Sequence, residues 1–129
     1  MADLEPVERP LSPFMLGTYY RLQMGTVTSL LTRITGNALI VTMALIVWWL
    51  LAASTGPEYF AYVNRIVTSW FGDIVFTLSL WGIWYHYLAG LRHLYYDAGH
   101  GFEIKTSEML GWVVIIGSLL LTVITLFIV

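Results

Sequence analysis

Residues Trp84–Gly99 read WYHYLAGLRHLYYDAG, an apolar and aromatic stretch that is interrupted by charged and titratable side chains. Its small and polar residues recur at offsets of 0, 4, 7 and 11, which is helical spacing: His86, Gly90, His93 and Asp97. Gly82 and Gly90, one turn either side of His86, leave room beside the backbone for a flat, bulky ligand. Because ionisable groups are costly inside lipid, this face is predicted to line a protein interior or a cofactor.

The composition excludes several classes of protein. Of the 129 residues, 58% are hydrophobic and only 11% are charged, which is typical of an integral membrane protein. The net charge of −2 does not suggest a nucleic-acid partner. Cysteine is absent, so disulfides, thiolate-bound iron–sulfur clusters and CxxC chemistry are excluded within this chain.

The hydrophobic pattern predicts an all-α fold with three transmembrane helices, at about residues 28–53, 71–96 and 107–129. Residues 34–53 are twenty residues without a charge, enough to cross about 30 Å of hydrocarbon. Residues 28–129 are expected to form the transmembrane domain, and a proline-containing segment, 1–27, is expected at the membrane surface or on a partner. A disordered tail is the alternative for the residues before Arg9. Thr106 or Ser107 is expected to cap the third helix. Three helices bury few polar stripes by themselves, so partner helices are expected in the lipid bilayer.

The distribution of lysine and arginine predicts the orientation in the membrane. Of the six basic residues, only Arg65 lies in the first loop, and the other five lie before or near the first helix and around the second loop. The positive-inside rule therefore places the amino terminus and the loop at 97–106 on the cytoplasmic or matrix side. No transit peptide is recognisable, which favours a bacterial inner membrane over a mitochondrial one.

Ser29 and Arg33 share a face at the predicted inner end of the first helix. Two interpretations of Arg33 are open: a snorkelling anchor at the membrane boundary, or a fixed cation that lines a site. In the second, the Ser29 hydroxyl donates to a quinone carbonyl, and the guanidinium stabilises the negative charge that develops on reduction.

The role of His86 is open between a cofactor ligand, a hydrogen-bonded structural residue and part of a proton relay. Imidazole is a good axial ligand of haem iron, and two axial ligands must lie on opposite sides of the ring. His93 lies seven residues away, about 10.5 Å along the same helix, so both cannot bind one iron. His100 lies beyond the helix end. A second histidine ligand would therefore come from another polypeptide.

The anionic propionates of a haem need cations near the membrane surface, and three side chains are candidates: Arg33, Arg92 and His93. For Arg92, an interfacial anchor under the positive-inside rule is an equal alternative. Asp97 supports such a site by holding His93 or Arg33, or by admitting protons. It could equally cap the end of its helix.

Three stretches together resemble the cytochrome b membrane-anchor subunits of succinate dehydrogenase, respiratory complex II. RPLSP at residues 9–13 is similar to the amino-terminal segment of the family. SLLTRITG at 29–36 is similar to its pattern S-x-x-x-R-x-[ST]-G, and HYLAGLRHLYYDAG at 86–99 to H-x-x-x-G-x-R-H-x-x-x-D-x-G. Thr32 departs from the family, whose members often carry histidine before the arginine.

The resemblance implies a heterodimeric anchor bundle in which His86 binds the iron of haem b and a second membrane-anchor subunit supplies the other ligand. It implies that Ser29 and Arg33 line a ubiquinone site near the haem propionates. It also implies assembly with an iron–sulfur subunit and a flavoprotein subunit into a succinate:ubiquinone oxidoreductase. This chain would have no catalytic residues and no activity alone. The alternatives are a haem-free structural anchor and the anchor of a related fumarate reductase.

Overall fold

The computed structural model describes residues 12–15 and 22–129. After a 3-10 helix at Pro13–Met15, it contains four α-helices: α1 (Met24–Thr55), α2 (Pro57–Val67), α3 (Trp70–Asp97) and α4 (Ile104–Ile128). No strand occurs in these ranges, so the predicted all-α fold is confirmed. Most of the expected amino-terminal segment, residues 1–11 and 16–21, lies outside the described residues.

Helices α1, α3 and α4 are each long and apolar enough to cross a membrane. They contain 32, 28 and 25 residues, whereas roughly 20 residues span the hydrocarbon. Many large apolar side chains on their outer faces are exposed, Ile40 by 68% and Leu50 by 62%. Apolar surface of this extent suits contact with lipid or with partner helices.

The connection between α3 and α4 is a tight turn. Gly99 and Gly101 adopt φ angles of +85° and +81°, a region that glycine tolerates and other residues rarely adopt. The chain therefore reverses within a few residues, and α4 begins directly after Glu103, its N-cap residue. The predicted cap at Thr106 or Ser107 is wrong, because the backbone N–H of residue 107 already donates to the residue 103 carbonyl at 2.8 Å.

α2 packs against the carboxyl-terminal end of α1. Val63 and Val67 are buried in one cluster with Ala52. The indole Nε1 of Trp49 donates to Oδ1 of Asn64 at 3.2 Å. A short helix that is fastened by an indole at the end of a spanning helix suits the membrane interface.

The face of α3 that carries Trp81 and Trp84 packs against α4 through hydrogen bonds from indole to hydroxyl. Trp81 Nε1 donates to Ser118 Oγ at 3.0 Å. Trp84 Nε1 donates to Thr125 Oγ1, also at 3.0 Å. Hydroxyl side chains on α4 satisfy N–H groups that lipid would leave unpaired. Because this face is used for α4, the polar face that carries His86 is turned toward α1.

Candidate functional site

His86 lies in the contact between α1 and α3. Its Nδ1 is 3.1 Å from Oγ1 of Thr35 on α1. The same nitrogen is 3.2 Å from the carbonyl oxygen of Gly82, one turn back on α3. The side chain is half-buried. Both hydrogen-bonding contacts of the ring therefore involve a single nitrogen.

The other ring nitrogen, Nε2, faces Gly36 of α1. A Cβ atom on Gly36 would lie 3.3 Å from Nε2 and 3.7 Å from Cε1 of His86. Across residues 12–15 and 22–129, Nε2 has no hydrogen-bond partner. An unpaired imidazole nitrogen beside a residue without a side chain fits an axial ligand of haem iron.

The glycine that lies closest to Nε2, Gly36, is not one that the polar face of α3 indicated. A Cβ atom on Gly90 would meet nothing within 4 Å, and one on Gly82 would lie 3.5 Å from Leu39. Gly36 and Thr35 both belong to the stretch SLLTRITG, and its similarity to the family pattern was the only indication of these two positions in the sequence. Their contact with His86 spans about fifty positions of sequence, so spacing along one helix does not reveal it.

A polar pocket of about 350 Å³ opens between the amino-terminal part of α1 and the carboxyl-terminal part of α3. Its polar lining includes Ser29, Thr32, Arg33, Arg92, His93 and Tyr96. The pocket thus unites the predicted quinone and propionate residues, while His86 and Asp97 are not part of its lining. Ala89, three residues after His86, also lines it, so the histidine lies about one helical turn away.

Ser29 and Arg33 have exposed side chains without a hydrogen bond or ion pair to any described residue. Neighbouring hydroxyls on α1 already donate hydrogen bonds to backbone carbonyls of the same helix. Thr28 donates to the Met24 carbonyl at 3.0 Å, and Thr32 donates to the Thr28 carbonyl at 2.8 Å. Ser29 therefore offers a free hydroxyl to the pocket, and the hydrogen of Thr32 is already used.

Arg92 connects three helices. Its Nε donates to the Tyr96 hydroxyl at 2.7 Å, and Nη1 donates to Thr28 Oγ1 on α1 at 2.9 Å. Nη2 donates to the carbonyl and the hydroxyl of Ser107 on α4, at 3.2 and 3.3 Å. Tyr96 follows Arg92 by four residues, a spacing that predicts their contact, but Thr28 and Ser107 carried no such signal. All three guanidinium nitrogens are thus engaged within the chain.

His93 and Asp97 lie at the exposed end of the site. His93 lines the polar pocket, and its ring stands edge-on to Tyr96 with centroids 6.4 Å apart. Asp97 is the last residue of α3 and is exposed. It forms no ion pair with His93 or Arg33 in the described structure. Its supporting role stays a prediction.

An apolar groove of about 400 Å³ lies along α1 and α3 on the other side of His86. Thr35 and Gly82, the two residues that contact Nδ1, are part of its lining. Further along, the hydroxyls of Thr42 and Ser79 are 2.6 Å apart and bridge the two helices. None of the described residues that line this groove is ionisable, so His86 lies between a polar and an apolar environment.

Comparison with known proteins identifies the family. The chain matches the family model described as succinate dehydrogenase/fumarate reductase transmembrane subunit over residues 5–125. It is 49% identical over 128 residues to the succinate dehydrogenase cytochrome b556 subunit of Paracoccus denitrificans, which covers 99% of this chain and 97% of that subunit.

More distant relatives carry similar names. The cytochrome b556 subunit of Rickettsia conorii is 35% identical over 116 residues, which are 90% of this chain and 89% of the relative. The succinate dehydrogenase cytochrome b560 subunit of Reclinomonas americana is 33% identical over 115 residues, 84% and 78% of the two chains. These matches confirm the resemblance and the membrane-spanning fold. The chain belongs to the transmembrane subunit family of succinate dehydrogenase and fumarate reductase.

Proposed function

We propose that this chain is the cytochrome b membrane anchor of a succinate:ubiquinone oxidoreductase, with one half of a haem b site and part of the ubiquinone site. Its relatives in Paracoccus and Rickettsia are named as cytochrome b556 subunits of succinate dehydrogenase. The observation that carries the proposal is His86, whose Nε2 is unpaired in the described structure and lies beside Gly36.

His86 is the proposed axial ligand. The Nε2 lone pair is the donor that haem iron takes, and the neighbouring glycine leaves space beside it. When bound, haem b supplies an iron centre that accepts and releases one electron at a time. His93 is about 10.5 Å further along α3, so a second membrane-anchor subunit would supply the other ligand. The two anchors would then form a heterodimer that holds one haem.

Arg33 and His93 are the proposed partners of the haem propionates. Both line the polar pocket about one turn beyond His86, and Arg33 has no partner in the described ranges. Arg92 adds positive charge to the same pocket, but its nitrogens already donate to Tyr96, Thr28 and Ser107. We therefore rank it after Arg33 as a direct contact with a carboxylate.

The polar pocket is the proposed place of the ubiquinone head group. The free hydroxyl of Ser29 donates a hydrogen bond to a quinone carbonyl oxygen, and the Arg33 guanidinium stabilises the negative charge that develops there during reduction. His93 lies in the same lining and can pass a proton inward, with Asp97 at the open end of α3 as its source.

The electrons come from outside the chain. It has no cysteine to hold an iron–sulfur cluster, so an iron–sulfur subunit and a flavoprotein subunit oxidise succinate and deliver them. We place the assembly in a bacterial inner membrane, with the amino terminus in the cytoplasm and residues 28–129 as the transmembrane domain. The succinate-oxidising direction is preferred to fumarate reduction because the relatives described above are named for succinate dehydrogenase.

The proposal is tested by the dithionite-reduced absorption spectrum of the purified complex. A b-type haem spectrum is expected, with a Soret band that moves on reduction. A complex that oxidises succinate but shows no haem absorbance would contradict the proposed electron carrier and support the alternative, a haem-free structural anchor.

A further inference from the structure

We propose that Thr35 is a positioning residue for His86: it holds the imidazole in the tautomer whose Nε2 carries no hydrogen. This inference rests on the proposed haem role of His86 and adds a residue of the opposite helix to it. Thr35 is buried, with 5% of its surface exposed, and its Oγ1 lies 3.1 Å from Nδ1 of His86.

The partners of the Thr35 hydroxyl decide the direction of this hydrogen bond. A hydroxyl has one hydrogen, and Thr35 directs it to the Leu31 carbonyl oxygen at 2.6 Å. The Thr32 carbonyl is the more distant alternative within the same helix, at 3.3 Å. Only lone pairs of Oγ1 then remain for the His86 ring, so Thr35 accepts and Nδ1 donates.

The second neighbour of Nδ1 requires the same tautomer. It is the carbonyl oxygen of Gly82 at 3.2 Å, and a carbonyl oxygen only accepts hydrogen bonds. Among the described residues, Nδ1 thus faces two acceptors and no donor, so it must carry the hydrogen. A neutral imidazole has a single N–H, which leaves Nε2 of His86 with a bare lone pair.

Thr35 and Gly36, which are adjacent on α1, therefore have different roles at the His86 ring. Thr35 fixes the protonation and orientation of the ring from one side, and Gly36 leaves space at Nε2 on the other. A hydrogen bond donated by the distal N–H of a ligating histidine raises the basicity of the ligating nitrogen. This favours oxidised iron, so loss of the Thr35 acceptor should raise the midpoint potential of the haem.

The test compares three variants in the purified complex. Thr35→Val keeps the shape of the side chain and removes the acceptor, whereas Thr35→Ser keeps the hydroxyl. Thr42→Val is the matched control, because Thr42 is also a buried α1 threonine that bridges to α3, through Ser79. Redox titration of the haem and the low-spin signal of its ferric form are the readouts.

We expect Thr35→Val to shift the midpoint potential upward and to alter the ferric signal, with Thr35→Ser and Thr42→Val matching the wild type. Loss of haem in Thr35→Val alone would also support the inference. A Thr35→Val complex that titrates like Thr42→Val would overturn it, as would equal haem loss in all three variants, which indicates packing only. If the wild-type complex contains no haem, the proposed function itself fails. If the wild-type complex contains haem and Thr35→Val leaves its midpoint potential and ferric signal unchanged, only the role of Thr35 fails.

Discussion

Arg92 on α3 donates a 2.9 Å hydrogen bond from Nη1 to Oγ1 of Thr28 on α1. Its remaining nitrogens reach Tyr96 on its own helix and Ser107 on α4. One guanidinium thus connects all three candidate spanning helices at the edge of the polar pocket. Hydrogen bonds from an ionised donor are about twice as strong as neutral ones, so Arg92 stabilises the shape of the pocket.

Replacing Arg92 should destabilise the fold more than replacing the neighbouring Arg33. Arg92→Ala removes hydrogen bonds from a charged donor, each worth about 1.5–3 kcal/mol, and with them the links from α3 to Thr28 and Ser107. Arg33 has no partner among the described residues, so Arg33→Ala should lower the unfolding free energy less than Arg92→Ala does. Thermal unfolding of the two purified complexes checks this, and equal unfolding midpoints would contradict it.

Arg33→Ala should slow quinone reduction while succinate oxidation with an artificial dye acceptor survives. Loss of the charge that stabilises the developing quinone anion should lower the quinone-dependent rate on the order of 100-fold. Arg65→Ala is the control, because Arg65 is an exposed cation on α2 and lines neither the pocket nor the groove. A parallel fall of both activities would indicate failed assembly and count against the quinone role.

Ser29→Ala should weaken ubiquinone binding, and Thr32→Ala should not. The Ser29 hydroxyl is free in the described structure, whereas Thr32 already donates to the Thr28 carbonyl. Loss of one neutral hydrogen bond costs about 0.5–1.5 kcal/mol, which corresponds to a KM increase of roughly 2- to 12-fold. Steady-state kinetics with a short-chain ubiquinone measure the difference. A larger effect of Thr32→Ala would mean that the pocket uses the other hydroxyl.

Gly36→Ala should reduce the haem content of the complex. The added methyl would come within 3.3 Å of Nε2, the atom proposed to bind iron. Gly117→Ala is the control for crowding alone, since its Cβ would meet Leu88 at 3.1 Å, in the contact of α3 with α4. The ratio of haem to protein in the two purified complexes is the measurement. Full haem occupancy in Gly36→Ala would place the ligand elsewhere.

The sequence predicted what depends on spacing along one helix. The polar face of α3 with His86 and His93, and the face of α1 with Ser29 and Arg33, followed from helical periodicity. The structure brings Ser29, Arg33 and His93 into one pocket. Three apolar helices followed from length and composition, which a bilayer constrains strongly.

What the sequence did not predict depends on contacts between helices. Arg92 and Thr28 are 64 positions apart, and neither composition nor period indicates that they meet. The hydroxyl of Ser107 looked like a helix cap, but it interacts with Arg92 and Tyr96. Likewise, Thr35 contacts His86 across α1 and α3, so its part in the site becomes visible only once the helices are packed.

The haem-binding role of His86 is measured most directly by the reduced absorption spectrum of the His86→Ala complex, with His100→Ala as the matched control. His100 lies in the turn after α3, where its ring packs against Tyr95 with centroids 5.5 Å apart. We expect His86→Ala to lose the b-type haem absorbance and His100→Ala to retain it. An unchanged reduced spectrum in His86→Ala would contradict the assignment of this histidine as the haem ligand.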